Sequence, residues 1–369
     1  MNLKELSNQD LLSLKKKLEY DIANCGNAEY AYKIFLNSCY GYLGCNYSRF
    51  YDKRLAEAVT LSGQLVIKWV ANRVNKFLNK LLKNPNEINY LAMLDTDSNY
   101  FILEDVVKKY CPDKSKTEIA KFLQKFCNEI LQKQINEAFD DYCRTFNTFD
   151  QTLSMKLESI SDKILIQAKK HYVANIFVDE SGILNEPKLK IMGIEAIKSS
   201  TPEHCRKLIK KAINIIMNES EKDIQKYILE LKNDFKNLPI VDISFPRSVT
   251  DLKKYTDKDD LYRLGTPINV RASLIYNQLI KNKDLVSKYD LIKDGDKIRF
   301  LYLKTPNPIG SDVIGYSSVL PEEFNLVKYI DYDTQFEKIL LKPIQSLLDV
   351  IGYSSTKENN GFDCFDFEE

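Results

Sequence analysis

The sequence predicts an α+β chain in which helices and short strands occupy separate stretches. Three observations predict it. Apolar residues recur at helical spacing through 54–83, with Val66, Val70, Val74, Phe77, Leu78 and Leu81 on one stripe, and through 115–143, with Ile119, Phe122, Phe126, Ile130 and Phe139 on another. Two apolar and aromatic runs, 90–94 and 99–103, flank the polar bend Asp95-Thr96-Asp97-Ser98 and read as the strands of a hairpin. Further on, 153–166 and 172–177 read as strands framing Lys169-Lys170.

Taken in order, 3–20 is a moderately amphipathic helical start, and Asn24-Cys25-Gly26-Asn27 reads as a turn. A second helix spans 28 to about 43. After the 54–83 helix, Asn84-Pro85-Asn86 is a stop, and the hairpin follows. Ser200-Thr201-Pro202-Glu203 has capping-box spacing and opens two helices, at 202–217 and 220–236. The stretch 240–325 mixes short strands with turns, and a last helix lies near 334–350. Residues 354–361 read as a polar, flexible linker before Phe362, Phe365 and Phe367.

The 369 residues suffice for two or three domains, and a content of 44% hydrophobic and 28% charged residues is that of a soluble globular protein. A net charge of +1 gives no global field for polyanions, so any basic surface must be local. Eight cysteines show no C-x-x-C spacing and the histidines number two, which argues against a structural zinc site and suits a reducing compartment. No apolar run approaches membrane-spanning length, and the chain reads as soluble and intracellular.

Three short segments carry chemistry. On a helix, positions 33, 37, 40, 41 and 44 share a side, which brings together Lys33, Asn37, Tyr40, Gly41 and Gly44. A lysine can neutralise triphosphate charge, an asparagine adds hydrogen bonds, and glycines permit close approach. At the hairpin bend, Asp95 and Asp97 can reach a common region, and paired carboxylates suit a divalent cation that also holds phosphate oxygens. Lys169-Lys170-His171-Tyr172 reads as a strand whose adjacent lysines point to opposite faces, one toward a groove and one toward a phosphate or acid.

The string Lys33-x-x-x-Asn37-Ser38-x-Tyr40-Gly41, followed by Asp95-Thr96-Asp97-Ser98, resembles the second and third signature motifs of the family B (alpha-like) DNA polymerases. Lys169-Lys170-His171-Tyr172 resembles that family's K-K-R-Y element, with His171 in place of the usual arginine. The stretch from Pro187 to Pro202, and then Pro246-Arg247 and 270–277, resemble the tailed-phage members. The resemblance implies a palm with an antiparallel sheet carrying the metal hairpin, a fingers helix and a mostly helical thumb. It places the second half of the fingers at 1–50, the carboxyl part of the palm at 51–192, the thumb at 193–350, and a linker with a clamp-binding tail at 351–369.

The roles implied are specific. Lys33 and Asn37 contact the phosphates of the incoming nucleotide, while Ser38 and Tyr40 shape the nascent base-pair pocket. Asp97 is a direct ligand to two catalytic Mg²⁺ ions, Asp95 is its neighbouring acid, and Glu158 matches an acid kept close to the metals. Lys169, Lys170, Tyr172, Lys190, Lys198 and Arg271 hold primer–template DNA, and Phe362, Phe365 and Phe367 dock on a sliding clamp. One departure is Leu94, where the family usually has glycine.

The family's first motif, an aspartate in a D-x-x-S-L-Y-P context that precedes the nucleotide helix, has no match in residues 1–32. Asp242-Ile243-Ser244-Phe245-Pro246 is superficially like it but stands in the wrong order, far past the hairpin. The expectation is therefore one subunit of a split polymerase in an infected bacterial cytoplasm, whose partner supplies a nuclease domain and the second aspartate. The rival expectation is a non-catalytic DNA- and clamp-binding remnant of a broken gene.

Overall fold

The computed structural model describes residues 7–256 and 261–356 of the chain, which forms two compact units. Of the described residues, the first unit comprises those up to Ser115 with Lys125–Leu157, and the second comprises Lys116–Gln124 with those from Glu158 onward.

The first unit opens with α1 (Asn8–Gly44), capped by the Ser7 hydroxyl, which accepts the Asp10 backbone N–H at 3.2 Å. The turn expected at Asn24–Asn27 does not form, and the helix runs unbroken through Gly26. A single helical glycine costs only about 1 kcal/mol relative to alanine, and nothing lies within 4 Å of a Cβ built there, so no packing forces a break. None of the 37 residues of α1 is buried.

Asp52 caps α2 (Lys53–Leu82) by accepting from the Arg54 and Leu55 amides, and Lys83 ends it in a left-handed conformation. The expected stripe holds in part: Val70, Val74 and Leu78 are buried, joined by Ile67 and Ala71. The hairpin follows as β1 (Leu91–Asp95) and β2 (Ser98–Phe101), antiparallel, with Asp95 opposite Ser98. Then comes α3 (Glu104–Tyr110); α4 (Lys116–Lys125), which belongs to the second unit as far as Gln124, runs through a π-turn at Phe126–Leu131 into α5 (Gln132–Phe146) of the first. Ile130, expected on the apolar face, is exposed, because the π-turn adds a residue and shifts the stripe; Leu131 is buried instead. α2 and α5 pack through Trp69, whose ring meets Tyr142 and Phe146 edge-on, both at 6.0 Å. Beside this cluster Arg73 binds Gln134, Glu137 and Asp141.

In the second unit, β3 (Ile160–Ala168), β4 (His171–Asp179) and β5 (Gly182–Met192) form an antiparallel sheet with β4 in the middle. Residues 172–176 of β4 are all buried, as expected of a strand covered on both faces. Residues 153–159, expected as strand, are irregular, and β5 was not expected at all, since Pro187 and three charged residues mask it. As an edge strand it tolerates proline.

α6 (Glu203–Asn218) and α7 (Glu221–Asp234) match the expected helices, but the capping box does not sit at Ser200. Pro202 is the N-cap of α6 and supplies no side-chain bond, whereas Ser220 and Asp223 form a reciprocal box on α7. Beyond these lie α8 (Ile240–Ile243), β6 (Phe245–Ser248), α9 (Leu252–Tyr255), α10 (Ile268–Asn282), β7 (Lys297–Tyr302) and β8 (Val313–Tyr316). The chain then continues through α11 (Tyr332–Phe336) and a π-turn into α12 (Lys342–Ile351). β6, β7 and β8 form a second antiparallel sheet. α10 lies on β8 so closely that a Cβ at Gly315 would sit 3.0 Å from the Ala272 carbonyl carbon.

One continuous core joins these elements, and several polar groups buried in it are hydrogen-bonded, while the buried Nε atoms of Arg206 and Arg271 have no hydrogen-bond partner among the described residues. Gln335 is fully buried, donates to the Ile243 carbonyl at 2.5 Å and accepts from the Tyr302 amide at 3.1 Å. The Tyr316 hydroxyl donates to Ser244 at 2.7 Å, and Ser244 donates to the Ile240 carbonyl.

The loop after α10 is tied down at Glu323. The Lys288 ammonium, then the backbone, and the Tyr289 hydroxyl hold this carboxyl at about 2, below its usual 4.5. A depressed folded pKa contributes stability that is complete above about 4.5 and disappears as pH falls through about 2. Urea unfolding between these limits should show a pH dependence that Glu323→Gln diminishes, and identical curves would refute the assignment.

Candidate active site

The site is built on α2. Asn75 and Asn79 project from this helix and bind the chain just before β1. Asn75 accepts the Tyr90 amide at 2.9 Å and donates to Asn89 at 2.8 Å. Asn79 closes a two-way bond with Ile88, accepting its N–H at 2.9 Å and donating to its carbonyl at 2.8 Å. Farther along, Asn99 of β2 donates to the Ile67 carbonyl at 3.2 Å. The hairpin is thus fixed to a packed helix at two places, which is what a site on rigid elements requires. No sequence signal found these asparagines, because their partners are 9 and 15 residues away. Asn79→Ala should lower stability by roughly 0.5–1.5 kcal/mol by removing its two bonds to the exposed Ile88 backbone, which water can then solvate. A shift in denaturant midpoint checks this, and an unchanged midpoint would count against the clamp.

The bend itself is tight. Thr96 is left-handed (φ 53°), the Asp97 amide donates to the Asp95 carbonyl at 2.6 Å, and the Ser98 hydroxyl donates to the same carbonyl at 3.0 Å. Thr96 Oγ1 also donates to the Asp95 carboxylate at 3.1 Å. Asp95 is half-buried and Asp97 is exposed at the tip. These two acids are hard oxygen donors of the kind Mg²⁺ takes. Among the described residues, no three acids, cysteines or histidines are grouped so that they could hold a metal. Two carboxylates fit an ion that fills its remaining positions with water and phosphate oxygens.

Lys33, Asn37, Ser38 and Tyr40 are all exposed on α1. Ser38 donates to the Ile34 carbonyl at 2.8 Å, while Lys33 and Asn37 make no side-chain hydrogen bond or ion pair among the described residues. Tyr40 lines a recess of about 270 Å³ with Gly44, Tyr51, Lys53, Ala56, Glu57 and Thr60. The hairpin acids are not part of that lining.

In the second unit, Lys169 and Lys170 are not on a strand with opposed faces. They form the two-residue turn between β3 and β4, with Lys170 left-handed (φ 62°) and both side chains exposed. The pattern looked strand-like because apolar strands abut it on each side. Tyr172 is 2% exposed and packs inward. Lys190 donates to Glu158 at 2.5 Å, Lys198 to Glu195 at 2.7 Å, and Arg271 to Asp312 at 3.0 Å. The first of these pairs joins two residues expected in separate roles, at DNA and at metal. The Arg271 guanidinium also lies 5.8 Å from the Tyr262 ring centroid. Lys190 and Arg271 are half-buried in these pairs, with their acids more exposed. Phe362, Phe365 and Phe367 lie outside the described residues.

A cleft of about 700 Å³ lies beside the Lys169-Lys170 turn. Its walls carry Lys198, Arg247, Lys338, Lys342 and His171, with Glu195 as the acid among them. Such a concentration of cations in a chain of net charge +1 is the local basic surface that overall composition could not reveal. Lys338 and Lys342 went unnoticed because the cleft draws on four separate stretches of sequence.

The chain is 30% identical to the DNA-directed DNA polymerase of Enterobacteria phage T4 over 95% of its length, and 30% identical to that of Escherichia phage RB69 over 91%. It spans 40% and 38% of those relatives' own lengths. It is also 23% identical to the mouse DNA polymerase alpha catalytic subunit, over 80% of this chain and 18% of that one. The profile of DNA polymerase family B matches residues 9–351, continuously from α1 to the end of α12. This chain belongs to DNA polymerase family B.

Proposed function

We propose that this chain is the carboxyl part of a replicative DNA-directed DNA polymerase of the tailed-phage type. It would add deoxynucleoside monophosphates, directed by a template, to a primer 3′-hydroxyl. The observation that carries the reading is the Asp95–Ser98 hairpin, clamped to α2 within a continuous family B match. Under this reading the first 50 residues belong to the fingers, 51–192 to the palm, 193–350 to the thumb and 351–369 to a clamp-binding tail.

Asp97 would be the direct carboxylate ligand to two Mg²⁺ ions, Asp95 its neighbour, and Glu158 an accessory acid released from Lys190. When bound, these ions would offset phosphate charge and ease ionisation of the attacking hydroxyl. Lys33 and Asn37, extended from α1, would hold the triphosphate of the incoming nucleotide, and Ser38 and Tyr40 would border the new base pair. The Lys169-Lys170 turn, Tyr172 packed behind it, Lys190, Lys198 and Arg271 would grip the duplex. Their phosphate contacts would be independent of sequence and sensitive to salt.

A separate subunit would supply the first-motif aspartate and the nuclease domain. Support for it lies on α1, where Leu12, Tyr20, Ile22, Tyr32, Phe35 and Leu36 are exposed along a helix with no buried residue. Phe362, Phe365 and Phe367 would dock on a sliding clamp. No helix among the described residues is long and apolar enough to cross a membrane, and an infected bacterial cytoplasm would be the place of work.

The test is primer extension by the chain alone and after mixing with a polypeptide that carries the D-x-x-S-L-Y-P segment. Activity should appear in the mixture only. Extension by the chain alone would refute the split arrangement, and inactivity of every mixture would refute the polymerase reading.

A further inference from the structure

Gly193 follows β5 directly and is left-handed, with φ 69°. Conformation alone would favour glycine there. Space is the stronger demand: a Cβ at this position would lie 2.1 Å from the Lys170 carbonyl oxygen, 3.1 Å from its carbonyl carbon and 3.0 Å from the His171 ring. Two of these atoms are backbone, so no rotamer change relieves the clash. The contact is specific to the β3–β4 turn, because Lys170 is the left-handed residue at its tip.

The turn stands at a chemically pointed place. Ala168 and His171, the residues on either side of Lys169-Lys170, both line the basic cleft with Lys198, Arg247, Lys338 and Lys342. His171 Nδ1 lies 3.1 Å from the Lys169 carbonyl, which ties the turn to the cleft wall. Lys169 and Lys170 stand at the edge of the cleft, outside its lining, and pushing the Lys170 carbonyl outward would displace both without altering any charge.

We propose that Gly193 is a positioning residue for DNA binding. By lacking a side chain it seats the Lys169-Lys170 turn against the end of β5, and so aims two cations at the polyanion held in the cleft. The inference rests on the DNA-binding reading above and adds a residue that touches no DNA itself.

The test is the affinity of the full chain for a fluorescein-labelled primer–template duplex, followed by anisotropy between about 50 and 200 mM salt. Lys169→Ala with Lys170→Ala should flatten the plot of log K against log salt by about 2. Gly193→Ala, with every charge retained, should weaken binding roughly tenfold and flatten the plot by about 1–2. Added to the double lysine variant, Gly193→Ala should change affinity by less than about twofold, since the cations it misaims are already gone.

Equal weakening in both backgrounds, or an unchanged slope in a folded Gly193→Ala chain, overturns the proposal. If thermal melting shows that Gly193→Ala does not fold, a glycine inserted between Lys169 and Lys170 decides instead. It moves the Lys170 carbonyl off Gly193 and should produce the same loss of slope; an unaltered slope overturns the proposal. Failure of the unmodified chain to bind the duplex would defeat the DNA reading, and this inference with it, and is recognised by occurring before any substitution.

Discussion

Asp97→Asn is expected to reduce primer extension by at least ~10³-fold, about 4 kcal/mol on the barrier, in the assembled enzyme. Asparagine has nearly the same shape, so the bend between β1 and β2 should survive, with the Asp97 amide still bonded to the Asp95 carbonyl at 2.6 Å. The side chain is exposed at the tip, so its exchange leaves no buried hole and no orphaned partner. Under the proposed role, what would be lost is one negative oxygen that a divalent cation needs. Single-turnover extension measures the effect, and duplex affinity should remain within about twofold, since the phosphate-gripping cations are elsewhere. Extension at more than about a tenth of the original rate would remove Asp97 from the chemistry.

Phe235→Ala is expected to destabilise the second unit by about 3–5 kcal/mol. Phe235 is 1% exposed and ends α7, where its ring meets Phe336 of α11 edge-on with centroids 5.3 Å apart. The surrounding core is continuous, which limits how far neighbours can collapse into the space left behind. Since folded domains are stable by roughly 5–15 kcal/mol, this one change consumes a large share of the total. Chemical denaturation followed by far-ultraviolet circular dichroism checks it. A loss below about 1 kcal/mol would mean that the core relaxes far more than its packing indicates.

The local parts of this molecule were legible because local physics dictates them. α2, α6 and α7 announce themselves through apolar period, and the β1–β2 hairpin through two aromatic runs around four polar residues. Where two signals competed, the sequence misled. Asn24-Cys25-Gly26-Asn27 looks like a turn, yet helix propagation carries α1 across it. β5 stays hidden behind Pro187 and its charged neighbours until its pairing with β4 is seen. α10 was read as a region of short strands and turns, because its burial by the second sheet is a tertiary matter.

The candidate site divides in the same way. Its acids and lysines were named from short motifs, but their surroundings were not. The asparagines on α2, the ion pair of Glu158 with Lys190, and the cations on α12 and its π-turn beside the β3–β4 turn are products of folding. A motif states which groups are present; only the chain's path decides what each one faces.

α1 has an energetic consequence for assembly. At 1.5 Å per residue it is roughly 55 Å long, yet none of its residues is buried. Under the proposal above, a polypeptide that covered those tyrosines and leucines would also supply free energy that keeps the helix wound, and its affinity per unit of contact area would be lower for it.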